Sequence, residues 1–234
     1  RFCSFTGKIL ICSFCGQPTT LISNFQKILG DREAPDNTIP WQVLVSLKVS
    51  KGGGMVIGDR WIMTAAQLTF ISSYVVDLQI YMGRTDVNTL TDSHLFAASI
   101  HIHPEYNFIS SDFNNDIALI KLRDPITFNS SIMPICLPAE GATYVTGMMG
   151  LVSGFGGRAS TLNYAEVPVV DQETCGKDAC SGDGGGPFAL NDNGSFWAAG
   201  ISSWGVGCGL PGKYGVYTRV ANYIDWINKT MQEN

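Results

Sequence analysis

Three stretches of this 234-residue chain gather residue types that could build a reaction site. Residues 180–187 read Cys-Ser-Gly-Asp-Gly-Gly-Gly-Pro, a glycine-rich turn around Asp183. Residues 61–67 read WIMTAAQ, an apolar run that ends on Gln67, and residues 114–122 read NNDIALIKL, with Asp116 at the head of a second apolar run. Acyl transfer at such a site needs an oxygen nucleophile, a base beside it and a buried carboxylate that orients the base. Gly184, in the middle of the glycine run, has no side chain, so no alkoxide forms there. The amide of Gln67 does not titrate near neutral pH and cannot take up a proton as an imidazole does. Asp116 supplies a carboxylate, and the glycine run supplies backbone donors.

The elements that must position these residues read as strands. Short apolar runs recur between glycine- and proline-bearing turns at 41–48, 54–64, 77–82, 96–102, 116–122, 148–154, 164–170, 196–204 and 214–219. This spacing predicts antiparallel strands in a barrel or sandwich. In 220–234 the residues Val220, Tyr223, Ile224, Ile227 and Met231 fall on one face at three- and four-residue steps, which predicts a C-terminal amphipathic helix. Apolar residues make up 45% of the chain and charged residues 15%, enough for a sizeable core. The net charge of −5 argues against nucleic-acid and anionic-membrane partners. There is no apolar run long enough to predict a membrane-spanning helix. Seven cysteines suit an oxidising compartment, and no Cys/His cluster has zinc spacing, so neither metal nor cofactor is expected. Glycosylation sequons at Asn129, Asn193 and Asn228 are in keeping with secretion. Residues 1–27 differ in character from the rest and are expected to be the end of an upstream module plus a linker, with the body of the chain at 28–234.

The motifs resemble those of chymotrypsin-like serine proteases. The run at 180–187 is similar to the family's GDSGGP turn with glycine in place of serine, and WIMTAAQ is similar to a pattern that ends in histidine. The stretches GGGMVIGDRWIMTAAQ, MPICLPAEG, GMMGLVSGFG and NYIDWINKTMQEN resemble the complement initiating proteases, the r and s subcomponents of the first component, with haptoglobin and the lectin-pathway proteases as near relatives. The resemblance runs from Cys15 to the end. It implies an all-β fold of two six-stranded antiparallel barrels with a C-terminal helix and a cleft between the barrels. The first barrel would hold Gln67 and Asp116.

The same resemblance assigns roles. Gln67 and Gly184 stand at the positions of the catalytic histidine and serine, and Asp116 is the remaining triad member. The backbone N–H groups of Gly182 and Gly184 would form the oxyanion hole. Asp178, with Gly205 and Gly215 along the walls, would form a specificity pocket that takes an arginine or lysine side chain. Lys27-Ile28 would be the activation site, whose freed amine pairs with Asp183. Cys180–Cys208 and Cys15–Cys136 would be disulfides, and Cys12 would close an upstream complement-control module. Cys3 has no assignment. His94, His101 and His103 match no triad position and are expected to be structural. Cys175 lacks the family partner, because only Gly176 and Lys177 separate it from Asp178. Roughly twenty residues of the family pattern, including a strand of the second barrel, are missing there, so that barrel is expected to be truncated. The implied function is a secreted, non-catalytic protease homologue that binds secreted proteins such as complement components. The alternatives are an active endopeptidase cleaving after arginine or lysine, and a decayed or mis-spliced product.

Overall fold

The computed structural model describes residues 3–6, 9–12, 14–20, 32–47, 50–70, 75–89, 94–107, 109, 113–156, 160–170, 184–204 and 215–234. The chain begins with a hairpin, β1 (Cys3–Thr6) and β2 (Ile9–Cys12), whose register aligns Cys3 with Cys12. A two-residue strand, β3 (Arg32–Glu33), precedes the first large unit. That unit is a closed six-stranded antiparallel barrel. It is made of β4 (Gln42–Ser46), β5 (Lys51–Gly58), β6 (Trp61–Thr64), β7 (Gln79–Met82), β8 (Leu95–Ile102) and β9 (Ala118–Leu122), in the order β4-β5-β6-β9-β8-β7.

The interior of this barrel follows from the two-residue period of its strands. Val43 and Val45 point inward from β4, Ile80 from β7, Ile120 and Leu122 from β9, and all are fully buried. The apolar run at 54–64 contains two strands rather than one, because Asp59 and Arg60 form a tight turn between β5 and β6. Gly52 in β5 is required by close packing. A Cβ there would lie 2.3 Å from Leu68 Cδ1 and 2.7 Å from the carbonyl oxygen of Gly184.

The second unit is also a six-stranded antiparallel sheet. Its strands are β10 (Met149–Gly154), β11 (Asn163–Pro168), β12 (Pro187–Asp192), β13 (Ser195–Trp204) and β14 (Val216–Arg219), together with β3, in the order β14-β13-β12-β10-β11-β3. Unlike the first sheet, it does not close among the described residues. β12 was not foreseen from the sequence, since the Gly-Pro signal at its start reads as a turn. One face of this sheet carries Leu151, Ala189, Phe196, Ala198 and Ile201 into the seam between the two units, where Phe196 meets Trp41 at 5.1 Å between ring centroids. The other face carries Phe188, Leu190 and Ala199, with Val152, Val167, Val169 and Tyr217 only partly buried around them.

A short helix, α1 (Ala66–Phe70), follows β6, and the C-terminal helix α2 (Ile224–Glu233) follows a 3-10 turn at Val220–Asn222. The helix thus starts four residues later than the apolar period suggested. Ile227 and Met231 face the seam. Cys15 and Cys136 are joined by a disulfide, which pins residues 14–18 to the seam beside Phe196; the N–H of Gly16 donates to the carbonyl of Pro134, and its carbonyl accepts from the N–H of Phe196.

Candidate functional site

The site is built where the two units meet. β6 and β9 pair with Thr64 opposite Ala118. That register sets the first turn of α1 beside the residues just before β9, so Gln67 and Asp116 converge although they lie 49 positions apart. The backbone N–H of Gln67 donates to Asp116 Oδ1 at 2.8 Å, and Gln67 Nε2 donates to Asp116 Oδ2 at 2.8 Å. The second unit completes the arrangement from the end of β13. Ser203 Oγ donates to Asp116 Oδ2 at 2.6 Å, and the carbonyl oxygen of Ser203 accepts from Gln67 Nε2 at 2.5 Å. Thr218 Oγ1 of β14 donates to the backbone carbonyl of Asp116 at 2.9 Å.

Asp116 is fully buried. Burial pushes its pKa up, and the hydrogen bonds from Ser203, from the backbone and side chain of Gln67, and from the backbone of Ala66 oppose that shift. Every group around the carboxylate is a donor, which is the arrangement that satisfies an ionised carboxylate taken out of water. Ser203 and Thr218 were not singled out from the sequence. They are ordinary hydroxyl residues in strands, and only the pairing of the two units reveals that they complete the shell of Asp116.

Gly184 and the Gln67 amide both approach the carbonyl oxygen of Ser203. The carbonyl oxygen of Gly184 accepts from the N–H of Gly53 in β5 at 2.9 Å, so its backbone is held by the first barrel. Among the described residues, a Cβ built on Gly184 would meet only the carbonyl oxygen of Ser203, at 3.8 Å. The next residue is different. Gly185 has φ of +86°, and a Cβ there would lie 2.3 Å from Thr64 Oγ1 and 2.4 Å from the carbonyl oxygen of Gly53. A third link across the seam is the hydrogen bond from Ser153 Oγ of β10 to Gln42 Oε1 of β4, at 2.7 Å.

The structure therefore brings Gln67, Asp116 and Gly184 together, and Gly215 lies at the start of β14. Lys27, Ile28, Asp178, Gly182, Asp183, Gly205, Cys175, Cys180 and Cys208 lie outside the described residues. Asn129 and Asn193 are exposed, and Asn193 takes positive φ in the β12–β13 turn; Asn228 is in α2. None of the three histidines hydrogen-bonds to Asp116. His101 Nε2 is 2.7 Å from Ser99 Oγ, His94 packs on Tyr81 and Phe96, and His103 packs on Tyr223 and Trp226. No group of three or more His, Cys, Asp or Glu suited to a metal ion occurs among the described residues.

Two antiparallel β units joined along a seam, with a buried carboxylate reaching across it, define the class of chymotrypsin-like folds. The trypsin family model matches residues 28–227, and the chain belongs to that family as a trypsin-like serine protease domain. It is 35% identical to the complement C1r-B subcomponent of Mus musculus, in a match covering 93% of this chain and 36% of that protein. It is 36% identical to a complement C1s-1 subcomponent of Mus musculus, with 94% and 38% covered, and 34% identical to the complement C1s subcomponent of Bos taurus, with 94% and 37% covered. The chain thus spans about a third of the length of the relatives it matches. The match to C1r-B runs over 257 positions, longer than the 234 residues of the chain, so that relative carries residues with no counterpart here. Among the described residues no helix is long and apolar enough to cross a membrane.

Proposed function

We propose that the chain is a secreted, non-catalytic member of the trypsin family that acts by binding other proteins, with complement components as the expected class of partner. The observation that carries this reading is the Gln67–Asp116 pair. An amide that donates to the carboxylate at 2.8 Å stands where a general base would be needed, and no side chain stands at Gly184. In related chemistry, removing the nucleophile or the base alone costs roughly 10⁶ in turnover, and removing both costs little more. Backbone donors alone leave about 10³ over water. Losing these two side chains leaves the surrounding hydrogen bonds intact, so the site remains a shaped surface. On the same reading, the pocket assigned to Asp178 holds an arginine or lysine side chain of the partner without cutting it. The similarity to complement subcomponents supports an extracellular setting, as do the Cys15–Cys136 disulfide and the exposed sequons.

The purified chain, incubated with an arginine ester and with a fluorophosphonate probe, is expected to show neither hydrolysis above buffer nor covalent labelling. Turnover accompanied by labelling of any residue in the cleft overturns this reading. A decayed product without a stable role is the second reading, favoured by the residues of C1r-B that have no counterpart here. Cooperative thermal unfolding of the purified chain removes that reading, and a gradual, non-cooperative melt supports it.

A further inference from the structure

The second sheet holds a cavity of about 380 Å³ whose place follows from the strand register. Leu151 of β10 pairs with Glu166 of β11 on one side and with Ala189 of β12 on the other, and Asn191 of β12 pairs with Phe196 of β13. Met149 stands two residues before Leu151, and Asn191 two residues after Ala189. By the two-residue period of strands, all six side chains share one face of the sheet, and all six line the cavity. Leu151, Ala189 and Phe196 are buried in the core of the seam, whereas Met149 is 38% exposed. The cavity therefore runs from core side chains out to the surface.

Among the described lining residues, only Glu166 and Asn191 carry polar side chains. Asn191 Oδ1 accepts the N–H of Gly194 at 2.9 Å, which holds that amide in place. Glu166 is partly buried. Burial pushes its pKa up, and the charge of Arg32 opposes the shift. None of the described residues donates a hydrogen bond to its carboxylate. A partly desolvated carboxylate without a donor favours a ligand that brings both positive charge and N–H groups. The apolar wall of Met149, Leu151 and Phe196 favours a hydrocarbon body beside that charge. The volume falls at the small end of the range for small-molecule sites.

We propose that this cavity binds a small organic cation, a protonated primary amine on an apolar body. Its ammonium group donates to the Glu166 carboxylate, and its body lies against Met149, Leu151 and Phe196. The site shares no described lining residue with the Gln67–Asp116 cluster, so it stands or falls apart from the non-catalytic reading.

The test is a titration of the full chain, carrying methyl-labelled methionine, with phenethylammonium chloride. It is followed at the Met149 methyl signal, assigned with Met149→Leu. Phenylethanol has the same body without the charge, and phenylpropionate has the opposite charge; both serve as comparisons at equal ionic strength. Phenethylammonium is expected to shift the Met149 signal saturably, with affinity about tenfold above that of phenylethanol, the range of one charge-assisted hydrogen bond. Phenylpropionate is expected to give no saturable shift. Glu166→Gln, confirmed as folded by its melting curve, is expected to lose about tenfold in phenethylammonium affinity and to keep its affinity for phenylethanol. Equal affinity for the amine and the alcohol, saturable binding of phenylpropionate, an unmoved Met149 signal, or undiminished amine binding in a folded Glu166→Gln chain would each overturn the proposal. If Glu166→Gln does not fold, the contrast between amine and alcohol in the unmodified chain decides alone.

Discussion

The two β units of this molecule contain the same number of strands and differ in how they end. In the first, β4 returns to β7 and the ladder is complete, which removes exposed edges and lets every inward side chain meet others. In the second, β3 covers β11 only at Asn163 and Tyr164, and Ala165–Pro168 pair with β10 alone among the described residues. The interiors follow the edges. Val43, Val45, Ile80, Ile120 and Leu122 are fully buried, whereas Val152, Val167 and Tyr217 stay partly buried about Phe188 and Leu190. The difference teaches where the site gets its order. Gln67 and Asp116 stand on the closed unit, and Gly184 is fastened to that unit through Gly53 and Gly185. The open sheet contributes Ser203 and Thr218 from its far end. The hydrogen-bonded floor of the cleft is thus complete even though the ladder of the second unit does not close among the described residues.

The sharpest way to break this comparison is to cut equivalent cavities in the two interiors. Ile120→Ala in the closed barrel is expected to cost about 2–5 kcal/mol, the usual range for a fully buried aliphatic residue. Leu190→Ala, whose cluster includes the only partly buried Val152, Val167 and Tyr217, is expected to cost at least about 1 kcal/mol less, because the sheet can relax into the gap. Urea unfolding of both variants measures the difference. Equal costs would mean that the second interior is as tightly packed as the first and that the open edge has no energetic consequence.

The seam between the units offers a second contrast, between adjacent glycines. Gly185→Ala forces a Cβ into Thr64 and Gly53 of the first barrel from a backbone with φ of +86°. It is expected to destabilise by roughly 2–3 kcal/mol. Gly184→Ala adds a Cβ that meets only the Ser203 carbonyl oxygen, at an ordinary contact distance of 3.8 Å among the described residues, and is expected to stay within about 0.5 kcal/mol of the parent. Melting curves of the two variants compare them directly. A large loss for Gly184→Ala would show that position 184 is packed as tightly as position 185.

Much of this architecture was legible in the residues because it depends on local signals. Alternation of apolar side chains marks β4, β7, β8 and β9, and the three- and four-residue steps of Ile227 and Met231 mark α2. The convergence of Gln67 with Asp116 was legible only through the family resemblance, since nothing local in WIMTAAQ or NNDIALIKL says that they meet. Three features were not legible, each for a physical reason. β12 begins on proline after three glycines, a composition dominated by turn propensity, and it becomes a strand because β10 and β13 flank it. The two strands inside 54–64 merge because the turn at Asp59–Arg60 interrupts the apolar run only briefly. Ser203 and Thr218 gain their role from pairing across the seam, a long-range contact that no window of sequence contains. The short spacing between Cys175 and Asp178, read as a missing strand of the second unit, falls on residues outside the described ones.

The smallest expected effect concerns pH and the way the C-terminal helix is held to the closed barrel. His103 follows β8 and packs edge-on against Tyr223, with centroids 5.2 Å apart, and against Trp226 at 5.1 Å. Burial lowers its pKa, and the nearby Glu105 opposes the shift; burial also lowers that of His101, helped by Lys121. Both histidines are therefore easier to protonate in the unfolded chain than in the folded one. The unfolded state binds more protons from pH 6.5 down to the lowered folded values, so stability is greatest above pH 6.5 and falls as the solution is acidified through that window. Melting temperatures from pH 8 to pH 5 should fall, and the fall should be shallower in His103→Gln and shallower again with His101→Gln added. Hydrogen exchange should place the early loosening at the start of α2, where Tyr223, just before the helix, and Trp226 lose their neutral aromatic neighbour. An unchanged pH slope in the double variant would assign the acid sensitivity to carboxylates instead, and early exchange in β11 rather than α2 would return it to the open sheet.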